Sequence, residues 1–175
     1  SINVSSGWNL ISFPVVPDDT NVSTVLGELD SASKIESIFS YDAATDSWSV
    51  YHPGSTETSD LSSLTAGYGY WISYVDTVAT GTIEGTGTLF AEGNNVPPER
   101  QLFAGWNLIG YYQIENTTAV SAQYALATLT DDIYDESQKW WTQLRTYNNV
   151  AKQFSSVTFY DNLNPGEGFW IFMKS

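Results

Sequence analysis

The sequence predicts a mainly β protein: a β-rich α+β fold of two tandem pseudo-symmetric repeats packed into one body. Each repeat is expected to hold a few antiparallel strands and one short helix. Three observations lead to this prediction. The 175 residues include 26 aromatic and 39 Ser or Thr side chains, which suit pleated sheets. Short apolar runs alternate with turn residues. Two motifs occur twice at almost the same spacing.

The repeat organises the whole chain. The motif Gly-Trp-Asn-Leu-Ile at 7–11 recurs at 105–109, and Gly-Tyr-Gly-Tyr-Trp-Ile at 67–72 recurs as Gly-Glu-Gly-Phe-Trp-Ile at 166–171. These anchors predict a first repeat over 1–75, a linking hairpin over 76–98 and a second repeat over 99–175. Because one copy alone would bury little apolar surface, we expect the two to pack together rather than fold as independent beads.

Each copy predicts the same local elements. The apolar run after Trp8 is typical of a buried strand. Asn21 is a predicted N-cap for a helix whose stripe is Val22, Val25, Leu26 and Leu29. The second copy offers residues 116–118 as the cap and Ala119, Ala122, Leu126 and Leu129 as the stripe.

A hairpin is predicted in the middle of each copy. In the first copy, alternating residues flank the Asp-rich turn at 42–46, between Tyr41 and Trp48. In the second copy, Tyr134-Asp135 and Trp141 have the same spacing and are matched to them. The last strand of each copy then carries Trp71 or Trp170.

Composition excludes several classes of function. The net charge of −14 argues against nucleic acid and anionic membrane as partners, since both need a basic face. The chain has no Cys and one His, His52, so thiolate chemistry and multi-histidine metal sites are excluded. No apolar run approaches the roughly 20 residues of a membrane span, so we expect no membrane insertion by this segment.

The motifs resemble a tandem repeat of archaeal, especially methanogen, and bacterial cell-surface and secreted proteins. The resemblance rests on 7–15 (Gly-Trp-Asn-Leu-Ile-Ser-Phe-Pro-Val), on 41–48 (Tyr-Asp through Trp) and on 64–72. Pro165-Gly166 fits the repeat, whereas Ala66-Gly67 and Gly110-Tyr111-Tyr112 depart from it. The resemblance implies an extracellular or cell-surface location and a non-catalytic module, and it supplies no catalytic residues.

The leading hypothesis is therefore a non-catalytic structural, self-assembly or adhesion module, with itself or other surface-protein subunits as partners. The alternative is a carbohydrate-binding module that uses exposed aromatic residues; a glycan-processing enzyme is a third, weaker hypothesis. Six of the seven Trp residues stand at matched positions, which indicates core packing. The candidate ligand-binding residues are instead those that the repeat does not share: Trp140, Tyr147 and Tyr68.

No cofactor is expected, although the carboxylates leave Ca²⁺ open. Asp42, Asp46 and Asp135 are the candidate ligands, but they lack the spacing of a calcium loop, and Asp at a turn is expected for backbone capping alone. Three Asn-x-Ser/Thr triplets, at Asn3, Asn21 and Asn116, are candidate glycosylation sites. His52, beside Pro53-Gly54, is expected to lie in a loop.

Overall fold

A computed structural model describes residues 1–55, 58–77, 80–88, 100–111 and 119–175. In these ranges strands dominate and the helices are short, so the predicted mainly β class is confirmed. The earlier strands are β1 (Ile2–Val4), β2 (Gly7–Ser12), β3 (Val16–Pro17), β4 (Ile35–Asp42), β5 (Ser47–Tyr51), β6 (Gly69–Tyr74), β7 (Gly81–Ile83) and β8 (Gly87–Thr88). The later strands are β9 (Gly105–Gly110), β10 (Val120–Ser121), β11 (Trp141–Asn148), β12 (Gln153–Ser156), β13 (Asn162–Leu163) and β14 (Gly168–Met173). The helices are α1 (Val22–Leu26), α2 (Glu28–Ser31) and α3 (Ala122–Ala125), with 3-10 turns at Ala127–Leu129 and Glu136–Gln138.

Two four-stranded antiparallel sheets form the frame. Their strand orders are β2-β6-β4-β5 and β9-β14-β11-β12, so strands from matching parts of the sequence take matching places. The register also corresponds, since Ile38 pairs with Ile72 and Leu144 pairs with Ile171. Three short antiparallel pairs, β1-β7, β3-β8 and β10-β13, lie outside these sheets.

The first helix begins where the sequence predicts. The Asn21 side chain accepts a hydrogen bond from the Ser23 backbone N–H at 3.0 Å, and Val22, Val25 and Leu26 are buried. In the second half α3 begins later, after Ser121, and its first residue Ala122 is fully buried. The capping residues predicted at 116–118 lie outside the described residues.

The first predicted hairpin is confirmed and the second is misplaced. β4 and β5 surround the turn at 43–46, and Tyr41 pairs with Trp48. The second hairpin joins β11 to β12, where Tyr147 pairs with Phe154. Tyr147 therefore takes the place in its sheet that Tyr41 takes in the first sheet.

Tyr134 and Asp135, the residues matched to this hairpin in the sequence, lie in a turn instead. The Asp135 side chain caps the following 3-10 turn, because its Oδ1 accepts hydrogen bonds from the Ser137 backbone N–H at 2.9 Å and from the Ser137 hydroxyl at 2.7 Å. Trp141 then starts β11 rather than closing a hairpin. The match was wrong because a capping Asp and a strand-ending Asp look alike in sequence.

The expected linking hairpin is also wrong in the residues that the structure describes. β7 pairs with β1, and β8 pairs with β3, so the two strands do not pair with each other. The alternation at 81–83 arises from packing, since Gly81 and Ile83 are buried against the first half while Thr82 is exposed. Residues 78–79 and 89–98 lie outside the described residues.

Each half has its own hydrophobic core on one face of its sheet. The first core includes the fully buried Ile11, Ile38, Leu64 and Ile72. The second is built in the same way around residues such as Leu144, Phe159, Phe169 and Ile171. The opposite face of each sheet, which carries no core of its own, packs against the other sheet.

The contacts between the halves come in matching pairs. The Ser12 backbone N–H donates to the Gly166 carbonyl at 2.9 Å, and the Gly110 N–H donates to the Gly67 carbonyl at 3.0 Å. Trp71 of the first half contacts Tyr147 and Phe154 of the second at ring-centroid distances of 4.9 and 5.8 Å. Trp170 of the second half contacts Tyr41 and Trp48 of the first at 5.4 and 5.8 Å.

The recurring Gly-Trp-Asn motif has a local structural reason. Gly7 and Gly105 have φ of +81° and +90°, a backbone conformation that favours glycine. Asn9 and Asn107 are fully buried. The Asn107 Oδ1 accepts from the Phe103 N–H at 3.0 Å, while its Nδ2 donates to the carbonyls of Phe103 and Gly105. The motif is thus a side-chain clamp that fixes the entry into the first strand of each sheet.

Candidate functional site

Five of the six matched tryptophans are not core residues, contrary to the expectation from the repeat, and Trp141 is the exception. Trp141 alone among them is buried, at 2% exposure, whereas Trp8 and Trp48 are 42% and 47% exposed and the remaining three are half-buried. Aliphatic and smaller aromatic side chains fill the two cores on the other face of each sheet. The other five indoles instead lie on the faces where the two sheets pack together, or at the margins of that contact.

One such margin forms an open groove in the second half. Its walls are Trp106 on β9, Trp170 on β14, Arg145 on β11, Phe154 on β12 and, from the first half, Tyr41 on β4. The groove has a volume of about 360 Å³. Apart from Tyr41, the lining residues lie on the same face of the second sheet, and the sheet therefore fixes their relative positions.

The rings of the groove hold one another in place. Trp106 and Trp170 stand edge to face, with ring centroids 6.2 Å apart and planes at 88°. Tyr41 tilts against Trp170, and its hydroxyl donates a hydrogen bond of 2.6 Å to Asp46 Oδ1. That hydrogen bond to a carboxylate raises the pKa of the Tyr41 hydroxyl above its usual value. The groove is therefore pre-formed by ring contacts rather than assembled by a ligand.

Arg145 supplies the positive charge of the groove. Its residue is exposed, and its guanidinium carbon lies 5.8 Å from the centroid of the Trp106 ring. It pairs across the strands with Trp170. Among the described residues, Arg145 makes no hydrogen bond or ion pair with its guanidinium. The guanidinium thus lies over the Trp106 ring and has no hydrogen-bond partner among the described residues.

The first half carries a different residue at the matching place. Phe39 pairs with Trp71 as Arg145 pairs with Trp170. The Phe39 ring packs 5.8 Å from Trp8, 6.4 Å from Trp48 and 6.3 Å from His52. Where the second half has a cation over an open groove, the first half has a ring that fills the space.

The three ligand-binding candidates from the sequence lie apart. The predicted exposure of Trp140 is confirmed at 45%, and its backbone bonds Leu129 and Lys174 at the far end of β11. Tyr68 lies under the Arg100 guanidinium at 4.0 Å. Tyr147 packs against Trp71 and Phe154. The three residues do not form one site, and a binding role for each stays a prediction.

The candidate calcium ligands are not brought together either. Asp42 Oδ1 accepts from the Ala44 N–H, and Asp46 accepts from Tyr41, both within the first hairpin. Asp135 caps its own turn in the other half, and the hydrogen bonds from Ser137 lower the pKa of its carboxyl. In the described ranges, no three acidic or His side chains are grouped as a metal site would require.

Two of the three candidate glycosylation sites are described. Asn3 lies on β1, is exposed, and accepts a hydrogen bond of 3.1 Å from the Thr82 hydroxyl. Asn21 is exposed and caps α1 through its Oδ1. Asn116 lies outside the described residues.

Sequence reasoning missed all five groove residues as binding candidates: Tyr41, Trp106, Arg145, Phe154 and Trp170. The tryptophans were assigned to the core because they recur. Arg145 and Phe154 escaped because Tyr134-Asp135 had been matched to the first hairpin. If Tyr147-Asn148 had been matched to Tyr41-Asp42, Arg145 would have been aligned with Phe39. The alignment would then have shown that a charged side chain in the second half replaces an aromatic ring in the first.

The chain matches no protein-family model, no curated protein and no solved structure. None of the helices in the described ranges has the length and apolar character needed to cross a bilayer. A functional proposal therefore rests on the groove and on the resemblance of the chain's repeated motifs to a repeat of cell-surface proteins.

Proposed function

We propose that the chain is a non-catalytic extracellular or cell-surface module with an adhesive role, and that it binds carbohydrate in the groove beside Arg145. The observation that carries this proposal is the set of half-exposed rings of Trp106, Trp170 and Tyr41 around a pre-formed opening. Sugar rings present apolar C–H faces that pack on such aromatic surfaces, while hydroxyls are left for polar partners.

The ring contacts favour binding over simple packing. A core aromatic residue would be enclosed, yet Phe154, which also lines the groove, is 52% exposed. Rings fixed by edge-to-face contacts lose little conformational entropy when a ligand packs on them. The groove thus combines apolar surface in contact with water and low mobility, as expected for a recognition surface.

The location and the absence of catalysis are inferred from the sequence. The abundance of Ser and Thr with few charged residues suits an exported protein, and the resemblance implies a surface module. The carboxylates of Asp42, Asp46 and Asp135 accept hydrogen bonds within their own turns, which supports a binding role over a hydrolytic one.

A glycan array with the intact chain tests the proposal. Trp106→Ala removes one wall of the groove and is expected to weaken binding roughly tenfold or more, because a stacked ring is lost. Tyr134→Ala is the control, since it removes a 74% exposed aromatic ring that does not line the groove. Thermal unfolding must show that both variants fold. Silence of the wild-type chain across the array, or equal losses from both variants, would contradict the proposal.

A second candidate, self-assembly, is favoured by β12. This strand forms the outer edge of its sheet, and all four of its residues are exposed. The outer edge of β5, by contrast, is covered, because the Val50 carbonyl accepts from Asp60 and Leu61 and the Val50 N–H donates to Asp60. An open edge strand is a template for pairing with another chain.

Sedimentation velocity over a range of protein concentrations tests this candidate. Ser155→Lys places a charge on β12 and is expected to abolish association, whereas Thr128→Lys at an exposed site in a 3-10 turn should not. A wild-type chain that stays monomeric at all concentrations would remove self-assembly through β12.

A further inference from the structure

We propose that the groove selects acidic sugars, and that Arg145 binds the carboxylate of a uronic acid whose ring packs on Trp106 or Trp170. This inference rests on the proposed carbohydrate binding and adds the class of ligand.

Five of the six cationic side chains have structural partners. Lys34 bonds Asp76, Arg100 bonds the carbonyls of Gly67 and Leu108, Lys139 bonds Glu136, Lys152 bonds Ser5 and the Trp8 carbonyl, and Lys174 bonds the Lys139 carbonyl. Arg145 is the exception within the described residues. The chain has 20 acidic residues against 6 basic ones, yet the Arg145 guanidinium bonds no group, acidic or neutral, among the described residues.

The fold does not need a cation at this place. Phe39 occupies the matching place in the first sheet and packs among Trp8, Trp48 and His52. A ring there would extend the aromatic packing of the second sheet in the same way. Arg145 instead gives up that packing and presents hydrogen-bond donors at the rim of the groove, which indicates that a ligand is their partner.

The chemistry of the guanidinium specifies a planar anion. Arg offers two parallel N–H donors that match the two oxygens of a carboxylate, and such charge-assisted pairs are stronger than neutral hydrogen bonds. A uronic acid joins this carboxylate to a pyranose ring, so one residue can use both the guanidinium and an indole face. The Arg145 guanidinium carbon lies 5.8 Å from the Trp106 ring centroid, which places the two contacts about one sugar residue apart.

Among the described residues, no carboxylate forms an ion pair with Arg145. Asp46, the carboxylate that contacts the groove residue Tyr41, accepts a hydrogen bond from the Tyr41 hydroxyl at 2.6 Å. At physiological ionic strength the remaining negative charge of the chain acts only within a Debye length of about 8 Å. A local cation can therefore attract a carboxylate although the whole chain is strongly acidic.

The test measures binding of short oligomers of glucuronic, galacturonic and mannuronic acid, each beside its methyl ester. The ester keeps the sugar ring and removes the charge. We expect an acidic oligomer to bind at least about tenfold more tightly than its ester, with the difference shrinking as salt is raised. Arg145→Gln should remove that preference, and Arg145→Lys should restore only part of it, because Lys lacks the planar pair of donors.

Arg145→Phe gives the second half the residue of the first and is a variant that the fold already accommodates at the matching place. It should retain thermal stability and lose the acidic preference. Binding of esters and acids with equal affinity, or a preference that survives Arg145→Gln, would overturn the acidic specificity while leaving carbohydrate binding intact. No binding of either form, with neutral glycans also silent, would remove the proposed function itself.

Discussion

The β-carbon of Ser12 lies 2.5 Å from the position that a β-carbon on Gly110 would occupy. The two residues end the matching strands β2 and β9, where the halves meet. Only one of them can carry a side chain at this separation. The Ser12 hydroxyl uses the space by donating to the Glu167 carbonyl at 2.6 Å. The second motif has Gly110 where the first has Ser12, and this difference is required for the two halves to pack together.

Gly110→Ala should destabilise the protein by about 1–3 kcal/mol or more, because the added carbon would also lie 2.7 Å from the Tyr68 carbonyl oxygen. Chemical denaturation measures the change in the free energy of unfolding. Gly85→Ala is the control, since nothing lies within 4 Å of its β-carbon position, and it should leave stability nearly unchanged. Equal stability of the two variants would show that the halves do not meet as described.

Asn107→Ala should cost about 2–4 kcal/mol, because it leaves the buried backbone groups of Phe103 and Gly105 without their side-chain partner. Equilibrium unfolding in urea provides the measurement. Asn162→Ala removes the same type of side chain from an exposed position on β13 and should change stability by less than about 0.5 kcal/mol. A small loss at Asn107 would mean that the motif is not a structural clamp.

Trp140 and Trp141 offer a matched comparison of neighbouring indoles. Trp141→Ala should destabilise by about 3–5 kcal/mol, because the side chain is 2% exposed within the second core. Trp140→Ala should cost only about 1 kcal/mol, because its side chain is 45% exposed. Thermal unfolding separates the two, and a larger loss at Trp140 would contradict the burial of Trp141 and the exposure of Trp140.

The carboxyl of Asp161 makes a contribution to stability that depends on pH. The Thr158 backbone N–H donates to Asp161 Oδ2 at 2.7 Å and lowers the pKa of that carboxyl below its ordinary 3.8. The folded state therefore binds the proton less readily than the unfolded state. The resulting stabilisation is complete above about pH 4 and is lost as the pH falls through the lower folded pKa.

Asp161→Asn should consequently be less stable than wild type at neutral pH, with a difference that disappears in strong acid. Unfolding free energies measured from pH 7 to pH 2 check this. Asp131→Asn, at an exposed carboxylate whose side chain bonds no described residue, is the control. A difference at Asp161 that stays constant with pH would indicate that the charge is not the cause.

The sequence predicts the elements that local chemistry determines. Asn21 caps α1 because its side chain bonds a backbone N–H two residues away, and the hairpin at 43–46 follows from an Asp-rich turn between alternating strands. The second hairpin was missed because its turn, with Lys152 at φ of +56°, lacks the Asp and Gly residues that signal such a turn.

The groove could not be predicted in the same way, since it depends on contacts between distant parts of the chain. Tyr41 and Trp170 are 129 positions apart in the sequence, and only the meeting of the two sheets brings their rings to 5.4 Å. In sequence Arg145 looks like any surface cation, and its place in the groove follows only from its pairing with Trp170 on the neighbouring strand. Recurrence of a tryptophan alone does not separate a core position from an interface position.

The pairing of β7 with β1 determines how the first half can be cut out or grafted. Ile83 is 3% exposed in the first core, and Gly81 lies so close to the Tyr74 ring that a β-carbon would be 2.8 Å from it. A fragment that stops at residue 75 would leave this side of the first core exposed to solvent. Because β8 in turn pairs with β3, with Thr88 opposite Val16, a transplantable first half must extend at least through Thr88.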